Sequence, residues 1–245
     1  MDLPPGAWPG LQLGAPLAGG HRNEVWSATI DGAAVAVRRL RRSAASLQWE
    51  VDLLTTVAGH GFHVAEPVPT IDGALTCERI IVQRWVGGHK PSSPQDWALV
   101  ADELRRLHDL ARDVGQRPGC CVVAELADRR TSVDADLDRV PADVAALVTG
   151  VFADFEDVRT AVVHGDPAGS NVRIDDGLVW LLDSDESRVD LVWHDLSNLG
   201  VAVLDPIAHA RAQRLSDAWE AINAWQVEPE YARMRLQRLR GAPSG

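Results

Sequence analysis

Lysine is all but missing from this chain. Of its 24 basic residues 23 are arginine, and Lys90 stands alone. Any other position that calls for a basic side chain must use a guanidinium, which stays charged and offers a planar fork of donors but does not titrate as an amine does. Cysteine is scarce as well. Cys77, Cys120 and Cys121 are an odd number, two of them adjacent, with no CxxC spacing. That pattern is a poor disulfide framework and lacks a thiolate metal-site spacing, and it suits a reducing compartment. No uncharged apolar run approaches a membrane span, and the first residues lack a basic stretch followed by an apolar one. The expectation is a cytoplasmic protein with no membrane partner. Positive surplus is lacking too. The net charge is −11; residues 1–90 balance 8 basic against 8 acidic residues, and residues 91–245 hold 16 against 27. Such a balance disfavours a nucleic-acid partner; it suits a cationic small molecule, although an acidic solvated surface is its commoner meaning.

What is present is patterned. Apolar residues make up 46% of 245, enough for a folded chain with a sizeable core. EVWSATI, then Asp31-Gly32, then AAVAVRRL predicts a tight β-hairpin. SLQWEVDLLTTVAGHG predicts a helix capped by Ser43 or Ser46, with Leu47, Val51, Leu54 and Ala58 on one face and Gly59 and Gly61 ending it. IIVQRWV predicts a strand that stops at Gly87-Gly88, and HKPSSP reads as a linker. Ser93-Pro94 starts a helix with Trp97, Val100, Leu104 and Leu107 on one face. Another helix is expected after Pro141, then short strands around AVV, VRI and LVWLL. The segments DLVWHDLSNLGVAVL, PIAHARAQRLSDAWEAINAW and PEYARMRLQRL are expected to be helical. A strand-rich part, residues 1–88, thus precedes a helix-rich part, residues 89–245, which is α+β ordering.

Chemistry concentrates in residues 162–185, VVHGDPAGSNVRIDDGLVWLLDSD. Asp175, Asp176 and Gly177 form the turn of a second hairpin. Pairing Ile174 near Leu178 or Val179 brings Asn171 beside Leu181 or Leu182, and therefore next to Asp183. An amide oxygen and a carboxylate at the base of a hairpin make a hard-oxygen pocket suited to Mg²⁺. Asp166 lies five residues before Asn171 on the loop leading in. Each of the three alone reads as a turn or strand-end residue; together, after a His-Gly, they point to a reaction centre.

HGDPAGSN followed by LLDSD resembles the catalytic core of the aminoglycoside phosphotransferase-like kinases, a small-molecule branch of the protein-kinase-like superfamily that includes choline kinases. The match falls on His164, Gly165, Asp166, Asn171 and Asp183. The resemblance spans residues 11–204 and implies a bilobal protein-kinase-like fold. Residues 1–88 would be the nucleotide-clamping N-lobe. Residues 89–245 would be a C-lobe with the catalytic loop, metal site and acceptor site. Asp166 would accept or orient the proton of a substrate hydroxyl; Asn171 and Asp183 would hold Mg²⁺ against the nucleotide phosphates. Asp185 would either reach a second metal ion or face solvent. In LAGGHRNEVW, Gly19 and Gly20 would let backbone N–H groups approach phosphates. Arg38 stands where the family's strand carries lysine, and Glu50 would be its helix partner. Backbone groups from Gln83 to Val86 would meet the purine edge, which admits ATP and GTP alike. Asp195 is expected to brace the catalytic loop, and His164 to be a structural residue.

The implied reaction is ATP-dependent transfer of the γ-phosphoryl group to a hydroxyl of an aminoglycoside, amino sugar, sugar or amino alcohol. The nine acidic residues against three basic ones in residues 125–157 would attract an ammonium group, which tilts the reading slightly towards a cationic acceptor, but DRRTSVDADLDRVPAD reads equally as a solvated helix or loop. Two other readings stand beside it. Arg38 in place of lysine fits a nucleotide-binding module that no longer catalyses. His164, Asp166, Asp183, Asp185 and His194 could instead build a metal-dependent hydrolase.

Overall fold

The structure is a computed structural model describing all residues except Met1, 18–22, 156–157, 198, 200–203 and 242–245. Gly19 and Gly20, expected to approach phosphates, lie outside the described residues. Two compact units are formed. The first comprises Met1–Lys90 together with Asn171–Asp185; the second comprises Pro91–Ser170 and Glu186–Gly245.

In the first unit, β1 (Leu11–Pro16), β2 (Glu24–Ile30), β3 (Ala33–Arg39) and β5 (Ile80–Arg84) form an antiparallel sheet in the order β1-β2-β3-β5. Asp31 and Gly32, both with positive φ, turn β2 into β3 as the Asp-Gly pair requires. The strands show period-two faces. Trp8, Val35, Val37, Ile80 and Val82 pack together on one face. Leu40, Leu47, Val51 and Ile81 pack on the other, against α1 (Ala44–Gly59). Ser43 caps α1, accepting from the Ser46 N–H at 3.2 Å. β4 is short, His63–Val64.

The hairpin of β7 (Val172–Asp175) and β8 (Leu178–Leu181) pairs Ile174 with Val179 and Val172 with Leu181. Two attachments tie it to the first unit. β4 joins β8 in parallel, His63 beside Trp180. His89 and Ile174 exchange backbone hydrogen bonds of 3.0 and 2.8 Å. Gly88 permits that stitch: its φ is +83°, and a Cβ there would lie 2.5 Å from the Ile174 oxygen.

The second unit is mainly helical. α2 (Pro94–Leu110) opens with a capping box between Ser93 and Asp96. α3 (Leu126–Arg129) and α4 (Ala142–Ala153) follow. β6 (Thr160–Val163) pairs antiparallel with β9 (Arg188–Leu191). α5 (Trp193–Leu196), α6 (Pro206–Asn223) and α7 (Pro229–Gly241) complete it. Its core joins Leu126, Val148, Phe152 and Phe155 to Leu215, Ile222 and Leu236. The helix expected over DLVWHDLSNLGVAVL is corrected. Its first two residues belong to β9 and a helical turn spans Trp193–Leu196, while Asn198 and residues 200–203 of that segment lie outside the described residues. In β9 the Arg188 and Asp190 side chains share a face and pair at 2.7 Å, so the charged residues alternate as a strand requires.

Candidate active site

Arg38 is the centre of the first unit's polar chemistry. It ends the β3 face shared with Ala34 and Ala36, and only 3% of it is exposed. Its guanidinium forks between two carboxylates: Nη2 donates to Glu50 Oε1 from α1, and Nη1 donates to Asp183 Oδ1 just past β8. Glu50 is wholly buried, whereas the Asp183 side chain is 43% exposed. Burial alone would discharge Arg38, but the charges of Glu50, Asp183 and Asp185 outweigh it and raise the pKa above the ordinary value. The third donor, Nε, is buried with no acceptor among the described residues.

Asp183 is placed by the hairpin. Leu182 N–H donates to Asn171 C=O at 2.9 Å, continuing the ladder one residue beyond Val172–Leu181. Asn171 and Asp183 therefore flank the base of the hairpin, twelve residues apart in sequence. Asp183 adopts a left-handed φ of 54°, which turns its carboxylate out of the strand. Asp185 behaves differently. It is 5% exposed and accepts from Arg42 Nε at 3.1 Å.

On the same sheet face, Gln12, Gly14, Ser27, Thr29, Ala34 and Trp85 line a shallow concavity of about 390 Å³. Gln83, on β5, is committed to the protein: it pairs with Ala36, and its side-chain amide donates to Ala65 C=O at 2.9 Å. Val86 has no backbone hydrogen-bond partner among the described residues.

Asp166 belongs to the second unit, on the loop after β6. The loop is braced from below by Asp195, whose two carboxylate oxygens accept from the backbone N–H of His164 (2.9 Å) and Gly165 (2.8 Å) and meet His108 Nε2 at 2.7 Å. Burial disfavours that carboxylate, but the bond to His108, the nearby His164 and the Gly165 N–H outweigh it and lower its pKa below the usual range. Gly165 has φ +91°, and a Cβ there would lie 2.4 Å from the Glu186 oxygen. Only glycine fits at that position. His164 is 1% exposed, and its carbonyl accepts from Ser187 Oγ at 3.0 Å.

A guanidinium poised over an exposed carboxylate in one unit, and a braced His-Gly-Asp loop in the other, match a known pattern. The phosphotransferase enzyme family matches residues 14–236. The chain belongs to this family. It is a small-molecule kinase of protein-kinase-like fold, α+β, strand-rich in its N-terminal unit and helical beyond. An amicoumacin kinase in complex with AMP-PNP, Ca²⁺ and amicoumacin is similar in structure at TM-score 0.62 and 18% identity, over 94% of this chain and 79% of that one. A microcompartment-associated aminopropanol kinase gives 0.64 and 16%, over 94% and 90%. A Plasmodium vivax ethanolamine kinase gives 0.61 and 13%, over 94% and 82%. No curated protein matches the chain.

The residues present fit the family's ligands. Asn171 and Asp183 are hard-oxygen donors of the kind Mg²⁺ takes, and the cation already drawn to Asp183 is a guanidinium. The orphaned Arg38 Nε–H suits a phosphate oxygen. Among the described residues no group of three His, Cys, Asp or Glu side chains is placed to hold a metal. No described helix is long and apolar enough to cross a membrane.

Two residues near the loop after β6 carry no signal in the sequence. Tyr231, the one tyrosine, lies within electrostatic reach of Asp166 from α7, and its hydroxyl accepts from Arg235 Nε at 2.9 Å. Burial, then the charge of Glu220, raises its pKa. Trp97, read from its spacing as a core residue of α2, stands with Cζ2 3.9 Å from the Cβ position of Gly169. Nothing local to either residue says that the fold carries it to residues 166–169.

Proposed function

We propose that this protein transfers the γ-phosphoryl group of ATP to a hydroxyl of a small cationic molecule, an amino sugar, aminoglycoside or amino alcohol. The observation that carries this reading is the buried Arg38 forked between Glu50 and the exposed Asp183. A guanidinium held that firmly, with a free Nε–H, is a phosphate contact kept in place by its helix partner. Mg²⁺ held by Asn171 and Asp183 would neutralise charge on the phosphates. The base would rest on the shelf of Ser27, Ala34 and Trp85, with the backbone of Val86 meeting its edge. Gln83, already bonded, shapes that edge from behind.

Asp166 accepts or orients the proton of the attacking hydroxyl. Oxygen then bonds to the γ-phosphorus as the bridging P–O bond breaks, and ADP leaves. Asp195 holds the loop backbone so that Asp166 is presented in one position. Trp97 and Tyr231 flank the acceptor, and the acidic surplus of residues 91–245 attracts its ammonium group. The test is an ATP-consumption screen over aminoglycosides, amino sugars, sugars and amino alcohols, with Asp166→Ala as control. Turnover with at least one amine-bearing acceptor, lost in Asp166→Ala, is expected. No responsive acceptor, or a control equal to the natural protein, defeats the reading.

A further inference from the structure

Two arginines four residues apart take two carboxylates two residues apart. Arg38 ends β3 and bonds Asp183; Arg42 sits one residue before the Ser43 cap of α1 and bonds Asp185. The pairs differ in burial. Asp183 is 43% exposed at its side chain, whereas Arg42 and Asp185 are 8% and 7% exposed. The first pair can open towards a ligand; the second cannot do so without leaving a buried charge uncompensated. Between them the backbone passes through the left-handed φ of Asp183 and a single 3-10 turn, Ser184–Glu186. A turn that short has few internal bonds to hold its shape.

We propose that Arg42 is a positioning residue of the metal site, anchoring Asp185 so that Asp183 projects at a fixed angle from the hairpin end. The inference rests on the kinase reading above and deepens it. Asp185 is then a structural anchor rather than a second metal ligand. Arg42 also couples the start of α1, which carries Glu50, to the loop that carries Asp183, so both partners of Arg38 are set by one joint. Loss of a group bonded directly to a metal ligand costs about 10–100-fold in metal affinity; Arg42 bonds Asp185, one link further out, so the low end of that range applies.

The experiment is Mn²⁺ binding to the full chain with ATP present and acceptor absent, read by electron paramagnetic resonance, alongside thermal denaturation. Arg42→Met should weaken Mn²⁺ about 10-fold, and Arg42→Lys less. Arg42→Met/Asp185→Leu removes both buried charges and should regain thermal stability while Mn²⁺ binding stays weak. It decides the matter if the single variant fails to fold. Asp185→Asn, which keeps an acceptor for Arg42, should bind Mn²⁺ nearly as the natural protein does. Mn²⁺ affinity that returns with stability in the double variant, or is unchanged in Arg42→Met, overturns the proposal. So does a loss in Asp185→Asn equal to that in Asp183→Asn, because Asp185 would then be a ligand. If the natural protein takes up no Mn²⁺ with ATP, the kinase reading itself fails, and this proposal with it.

Discussion

Replacing Glu50 by alanine separates two tasks of the Arg38 fork, holding the fold and the phosphate contact proposed for it. Glu50 has no exposed surface and Arg38 has 3%, so their pair is out of water. Removing one partner of a buried ion pair costs about 3–5 kcal/mol, because a charge is left uncompensated. Arg38 would still keep Asp183, whose side chain is 43% exposed and open to water, so the lower end applies. A loss of about 3 kcal/mol in a chain of this size lowers Tm by roughly 6–12 °C. Arg38→Met/Glu50→Leu removes both charges beneath α1 and should return to within about 1 kcal/mol of the natural protein. Phosphoryl transfer should nevertheless stay lost, since no guanidinium remains for the phosphates. Calorimetric unfolding without nucleotide and an ATP-consumption assay read the two effects separately. The reasoning is refuted if the double variant is as unstable as the two single losses summed, or if it transfers phosphate at the natural rate.

Two further outcomes follow from the second unit. Burial lowers the His194 pKa from 6.5 to about 4, so the unfolded chain takes up the proton first as pH falls. Stability is then full above pH 6.5 and is lost as pH drops towards 4, by about 3 kcal/mol; urea unfolding at pH 7 and pH 4 should show it, and His194→Gln should flatten that slope. Asp195→Ala strips the acceptor from His164 N–H, Gly165 N–H and His108. It should cut kcat by about 100-fold through a misplaced Asp166 while leaving nucleotide affinity unchanged; initial rates and a nucleotide titration distinguish that from a general loss of fold.

What residues near in sequence could decide, they did decide. The Asp31-Gly32 turn, the Ser43 cap and the Ser93-Pro94 helix start each rest on a hydrogen bond or a φ value reachable within a few residues. The register of the β7–β8 hairpin follows from its two-residue turn, Asp176-Gly177, with Asp175 ending β7 rather than lying in the turn, and with it the approach of Asn171 to Asp183. Tertiary structure decided the rest. Whether DLVWHDL becomes strand or helix depends on β6 being available to pair, because its apolar spacing admits both periods. The hairpin was expected with residues 89–245, yet it groups with residues 1–90 because a two-residue parallel contact and the Gly88–His89 stitch hold it there. Neither contact has a sequence signature. Arg38 and Glu50 were legible as a pair through their family positions; that Arg38 also holds Asp183, and that Arg42 removes Asp185 from solvent, were not. Those contacts join residues more than 140 positions apart. A charge paired over that distance looks, in sequence alone, the same as a charge in water.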